Sequence, residues 1–159
     1  MAYDLNNRYA TIIRNSVPAF RVYEDKHMLA FLETNPQAIG HTVVVPKTRA
    51  ESIFDIPSEW FGHLARTTQV VATAIQMAFN PDGIKLVQPN LPAAGQTVRH
   101  VHFQIIPCYK RSPNAESVAA EIADTSKLLE HAERIRRALT ELRAKHEKKS
   151  SQPPGPDFK

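Results

Sequence analysis

Hydrophobic positions change period several times along the chain, and each change marks an element. Tyr9, Ile12 and Ile13 fall on one face of a short helix that also takes in Leu5, with Asp4 placed to cap it and Pro18 to stop it. Phe20-Arg21-Val22-Tyr23 and Met28-Leu29-Ala30-Phe31-Leu32 read as two strands around the polar turn Glu24-Asp25-Lys26. Asn35-Pro36 and Gly40 mark a loop, and His41-Thr42-Val43-Val44-Val45 is a third strand ending at Pro46. Ser58 caps the main amphipathic helix, whose apolar stripe includes Phe61, Leu64, Val71, Ile75 and Phe79, and Asn80-Pro81-Asp82-Gly83 breaks it. Ile84-Lys85-Leu86-Val87 is a fourth strand, and Val98 to Pro107 a long fifth. Pro113-Asn114 opens a last helix, from about Ala115 to Lys145, with Val118, Ile122, Leu128, Leu129, Ile135, Leu139 and Leu142 on its apolar side. The short turns favour hairpins over crossovers, which predicts an α+β fold with a five-stranded, mainly antiparallel sheet, packed helices and a long C-terminal helix.

Composition narrows this picture without changing it. A chain of 159 residues with 42% hydrophobic residues has material for one core. The expected organisation is one folding unit over 1–112, a helical extension over 113–148 packed on that unit or on a second copy, and a disordered tail over 149–159. No apolar run approaches the ~20 residues that cross a bilayer, and the first residues lack the pattern of a signal peptide. The single Cys108 rules out an internal disulfide and a Cys-rich zinc site, so a cytoplasmic, reducing setting is expected. The formal net charge is +4, but much of the excess lies in Arg134, Arg136, Arg137, Arg143, Lys145, Lys148 and Lys149. On a helix this reads as a solvated face, so neither nucleic acid nor membrane is expected as a partner.

Candidate chemistry concentrates at His100-Val101-His102-Phe103-Gln104. In a strand, His100, His102 and Gln104 share one face, at a spacing of about 6.5–7 Å, suited to neighbouring oxygens of one bound phosphate. A neutral imidazole attacks phosphorus, while a neighbour donates a proton or hydrogen bond. Two histidines at alternate positions also describe a polar sheet face or a weak metal site. The preceding loop, Asn90-Leu91-Pro92-Ala93-Ala94-Gly95-Gln96-Thr97, favours the first reading. Gly95 permits close backbone approach, and Gln96 and Thr97 add side-chain donors beside backbone N–H groups that can meet an anion.

These residues carry a resemblance. Gly95-Gln96-Thr97-Val98-Arg99-His100-Val101-His102-Phe103-Gln104-Ile105-Ile106-Pro107 resembles the signature of the histidine triad (HIT) family, His-φ-His-φ-His-φ-φ with φ apolar, usually after Gly-Gln-Ser/Thr. Val22-Tyr23-Glu24-Asp25, Leu29-Ala30-Phe31 and Pro36-Gln37-Ala38-Ile39-Gly40-His41-Thr42-Val43-Val44-Val45-Pro46-Lys47 resemble its N-terminal half in order and spacing, so the likeness covers roughly residues 8 to 110. It implies a sheet of five antiparallel strands, a homodimer, and reaction at the α-phosphate of a nucleotide, with a purine nucleotide the expected substrate. By position, His102 is the nucleophile that forms a nucleotidyl-histidine intermediate, His100 orients and polarises it, and His41 joins the same hydrogen-bond relay. Glu33 falls where ribose hydroxyls are held, a role that suits a carboxylate. Tyr9, Ile12 and Phe31 match residues that sandwich the base, although core packing accounts for them as well. Asn90 lies one place from a phosphate-region amide position, which Pro89 occupies.

The sequence departs from the family at Gln104, which stands where the third histidine belongs. An amide cannot carry a proton, but its NH2 can hold a phosphoryl oxygen. Good leaving groups such as nucleotide polyphosphates are therefore expected to react better than amines. Gln here is typical of the nucleotidyl-transferring branch of the superfamily, whereas the chain's size resembles its hydrolases. Three readings follow: hydrolysis of a phosphoanhydride such as a dinucleoside polyphosphate, nucleotidyl transfer or phosphorolysis, and a non-catalytic nucleotide sensor. No cofactor is implied, and no metal is expected because Tyr9 to Ile13 lacks the Cys pair of zinc-binding relatives. His27, His63 and His131 read as surface or helix-face residues.

Overall fold

The computed structural model describes residues 2–110 and 124–150. Strands β1 (Arg21–Glu24), β2 (Met28–Leu32), β3 (Thr42–Pro46), β4 (Gly83–Val87) and β5 (Phe103–Cys108) form one sheet in the order β1-β2-β3-β5-β4, and every neighbouring pair is antiparallel. The helices are α1 (Arg8–Ile13), α2 (Ser58–Phe79) and α3 (Thr125–Ser150). This is the α+β architecture that the periodicity predicts.

The sheet buries both faces, so its central strands β2 and β3 are buried at every position. Alternation sorts their side chains between two cores. Met28, Ala30, Leu32 and Val44 join Leu64, Val71 and Ile75 of α2 and Leu128, Ala132 and Ile135 of α3. Leu29, Phe31, Val43 and Val45 face the other way and pack with Tyr9 and Ile12 of α1. The second face carries the candidate site. Register confirms it, because Val43 lies opposite Gln104 while Val44 lies opposite Phe103. Gly40, at φ +87°, brings the chain into β3 so close to Phe79 that a Cβ would stand 3.0 Å from that ring.

Several expectations change, beginning with the cap of α2, which is Pro57 without a side-chain hydrogen bond, Ser58 being the first residue of the helix. The cap of α1 is Asn7, whose side chain accepts from the Ala10 N–H, while Asp4 instead accepts from Asn6 and leaves Leu5 outside the helix. Asp4 is too far upstream for its carboxylate to reach the first turn. The long strand expected from Val98 begins only at Phe103, because its pairing with β3 stops at Val44 opposite Phe103 and the Val101 N–H donates instead to the Ala50 carbonyl. Helix α3 runs through Lys149 to Ser150, past the expected onset of a disordered tail, because its last turns contain helix-favouring Lys and Glu and no breaker. His131 is buried against Phe79, with ring centroids 5.4 Å apart, and not a surface residue. His27 and His63 are half-buried and stack on each other, with His27 edge-on to Trp60. The helix expected from Ala115, with Val118 and Ile122, and the tail beyond residue 150 lie outside the described residues.

Helix α3 belongs to the same core as the rest of the domain, since Leu128, Ala132 and Ile135 are buried there. Ile135→Ala should therefore destabilise the protein by about 2–4 kcal/mol in urea denaturation, the range for an aliphatic side chain removed from a packed core. Leu129→Ala, at a half-exposed position on the same helix, should cost no more than about 0.5 kcal/mol.

Candidate active site

Histidines 41, 100 and 102 are all buried, at 2%, 1% and 1% exposure, so each ring nitrogen needs a partner or a purpose. Their partners define their tautomers. His102 donates Nδ1–H to the carbonyl of His100 at 2.8 Å, which leaves a lone pair on Nε2. His100 donates Nε2–H to the carbonyl of Pro46 at 2.8 Å, and its Nδ1 accepts from the hydroxyl of Tyr3. The Gln37 N–H donates to Nδ1 of His41 at 3.0 Å, so His41 carries its proton on Nε2 and donates it to Oε1 of Gln104 at 2.9 Å. With its oxygen accepting from His41, Gln104 keeps its NH2 as a donor.

Burial sets the charge state. Desolvation lowers the pKa of His102 below its usual range, against the raising effects of the His100 carbonyl and the Glu33 charge. Desolvation lowers His41 as well, opposed by its bond to Gln104 and the Glu33 charge. His100 is pushed furthest, from 6.5 to about 4, chiefly by desolvation. All three are neutral near pH 7, the state in which an imidazole is a nucleophile.

The surrounding residues divide into floor, rim and brace. Tyr9, Ile12 and Phe31 are buried, and the Tyr9 ring stands edge-on to His102 at 5.0 Å and to Phe31 at 5.6 Å. They form the floor of the site. Glu33 is buried beside it and pairs with Arg8 at 2.8 Å, while its Oε1 also accepts from the N–H groups of Thr34 and Asn35. Burial works to raise the Glu33 pKa, but Arg8, the Asn35 N–H and His41 together hold it below the usual carboxylate range. Thr97 lies on the rim of a cleft of about 300 Å³ lined by Asp4, Asn7, Arg8, Val98 and Arg99.

Gln96 and Asn90 are braces. The Gln96 Oε1 accepts from Leu91 N–H, and its NH2 donates to the carbonyls of Glu51 and Val98. Its amide is spent inside the loop, contrary to the expectation of a free side-chain donor. Asn90 accepts from the Ile53 N–H at 2.7 Å and exchanges hydrogen bonds with Gln88, which ties the loop to residues 51–55. Gly95 takes φ +84° behind the 3-10 turn Pro92–Ala94, a conformation that costs other residues strain. Leu91 adopts φ +70° nearby, held by the Gln96 amide.

The sequence reading missed Tyr3 and Arg8. Arg8 had a signal, since it adjoins Tyr9 on α1 and a buried carboxylate such as Glu33 requires a cation. Tyr3 had none, because its approach to His100 spans 97 positions of sequence. Among the described residues no group of three or more His, Cys, Asp or Glu side chains is gathered to hold a metal ion. No described helix is long and apolar enough to cross a membrane.

A sheet of five antiparallel strands carrying buried, tautomer-locked histidines beside a glycine-turned loop is the arrangement of a histidine-motif domain. The chain belongs to the HIT domain family, which it matches over residues 14–111. It resembles the crystal structure of a Hit-like protein involved in cell-cycle regulation from Bartonella henselae, with a TM-score of 0.78 and 41% identity over 86% of this chain and 99% of that one. An adenylylsulfatase of Arabidopsis thaliana is 32% identical over 65% of this chain and 52% of its own length. An adenosine 5'-monophosphoramidase of Saccharomyces cerevisiae is 33% identical over 62% of this chain and 60% of its own.

The depressed pKa of His100 ties stability to pH. The unfolded chain takes up this proton near pH 6.5, whereas the folded chain resists it until about 4. Stability from this group is therefore full above pH 6.5 and is lost as pH falls toward 4. Urea denaturation from pH 7 to 4 should show that decline, to which His41 and His102 add in the same direction, and His100→Asn should reduce its slope.

Proposed function

We propose that the protein is a nucleotide hydrolase that cleaves at the α-phosphate through a nucleotidyl intermediate on His102. The observation that carries this reading is the bare Nε2 of a buried, neutral imidazole whose other nitrogen is committed to the His100 carbonyl. The named activities of the Arabidopsis and yeast relatives support hydrolysis of a nucleotide conjugate.

In the first step Nε2 forms a bond to the α-phosphorus as the bond to the leaving oxygen breaks, and the leaving group departs with the electron pair. The imidazole becomes cationic, with its Nδ1–H still held by the His100 carbonyl and the Glu33 charge nearby. Water then attacks the same phosphorus, the P–N bond breaks, the neutral imidazole is restored, and one proton passes to solvent. The Gln104 NH2, aimed by His41, holds a phosphoryl oxygen as negative charge builds. The backbone N–H of Thr97 supplies a further donor, with Gln96, Asn90 and Gly95, whose own N–H donates to the Pro92 carbonyl, shaping that loop. Glu33 receives the ribose hydroxyls when Arg8 yields it, and Tyr9, Ile12 and Phe31 back the base, taken as a purine.

Because Gln104 provides no proton, leaving groups that depart as stable anions suit the site, and dinucleoside polyphosphates are the preferred class. The same residue favours a second reading, in which phosphate or a sugar phosphate takes the nucleotide from His102. A homodimer completes the proposal: β4 is an edge strand on which Leu86 is half-exposed. An exposed free thiol, Cys108, fits a reducing cytoplasmic setting.

Mixing the protein with diadenosine polyphosphate should give an AMP adduct by mass spectrometry that disappears in His102→Ala, with loss of turnover by at least about 10³-fold. Full turnover by His102→Ala would overturn the mechanism, and formation of ADP in place of AMP on adding phosphate would establish the transfer reading. Gln104→His should raise activity on adenosine phosphoramidates by tenfold or more, roughly the lower end for general acid catalysis, measured as kcat/KM against a polyphosphate control.

A further inference from the structure

The nucleophile is oriented by a carbonyl that no strand holds. His100 lies in the segment before β5, where the sheet ladder has not yet begun. The backbone bonds recorded there run from His100 N–H to Val98 and from Val101 N–H to Ala50, and neither fixes the His100 carbonyl to the sheet. The His100 ring does so. One nitrogen donates to the Pro46 carbonyl, at the end of β3, and the other accepts from the Tyr3 hydroxyl. The ring is 1% exposed, so water offers Nδ1 little substitute for that hydroxyl.

We propose that Tyr3 is a positioning residue of this site, whose hydroxyl fixes the tautomer and orientation of His100 and, through the His100 carbonyl, the Nδ1–H of His102. The proposal rests on the reading of His102 as nucleophile for its kinetic consequence, but its structural content stands apart from that reading. Tyr3 comes from the segment before α1, so the arm leading into the domain closes on the relay from outside the sheet. The Tyr3 ring meets the His100 ring edge-on at 5.7 Å, which directs the phenol oxygen at Nδ1. Burial raises the Tyr3 pKa, and a hydrogen bond with the Asn7 side chain, followed by Arg14 and Arg49, offsets this only in part, so the phenol keeps its proton and remains a donor. With that donor in place, His100 must keep its proton on Nε2, facing Pro46. Without it, a ring flip or tautomer exchange leaves the His100 carbonyl less well directed at His102.

The test is Tyr3→Phe in the full chain, which removes the hydroxyl and keeps the ring. Side-chain nitrogen NMR of the histidines should show a single Nε2–H tautomer for His100 in the parent protein. In Tyr3→Phe the Nδ1 signal should move toward that of an unbonded nitrogen, and the Nδ1–H of His102 should exchange faster with solvent. On diadenosine polyphosphate, kcat should fall about tenfold, the scale of one lost hydrogen bond, with KM within about twofold. Unchanged His100 and His102 nitrogen signals overturn the proposal, as does an unchanged kcat. A parent protein without turnover defeats the proposed function, and the nitrogen signals then decide the role of Tyr3 alone.

Discussion

The hydrogen bond from His102 Nδ1–H to the His100 carbonyl decides which nitrogen of a buried imidazole is free to react. A histidine in water exchanges between tautomers and is protonated at mildly acid pH. Here burial removes the charged form, and one carbonyl removes the wrong tautomer. Much of the fold serves that bond. Strand β3 ends at Pro46, where its carbonyl anchors His100, while His41 at the other end of the same strand aims Gln104.

A sheet covered on both faces makes this possible. On one side α2 and α3 complete the larger core. On the other, the short helix α1 covers only part of the sheet and lays Tyr9 against the histidines. The polar groups lie at the margin of that smaller core, dry enough to depress the histidine pKa values. The Arg8–Glu33 pair belongs to the same economy: a buried carboxylate is kept charged by a half-exposed cation that solvent competes for.

Much of this was legible before folding. Period-two patterns located five strands, period 3.6 located α2, and Asn80-Pro81-Asp82-Gly83 marked its end. The alternation of His100, Val101, His102, Phe103 and Gln104 sent the polar side chains and the apolar ones to opposite faces even though β5 begins only at Phe103. That difference arises because a side-chain pattern records which way residues point, whereas a strand also needs a neighbour within hydrogen-bonding reach.

The sequence alone thus singled out the candidate residues, since their types and spacing are local properties that match known local chemistry. It did not determine how those residues are wired. That Gln96 spends its amide on Leu91, Glu51 and Val98, that Asn90 ties down Ile53, and that Tyr3 and Pro46 grip one imidazole were decided by tertiary structure. The physical reason is that these partners are mostly backbone groups or distant side chains. Every residue has a carbonyl and nearly every one an N–H, so only their positions in space distinguish them.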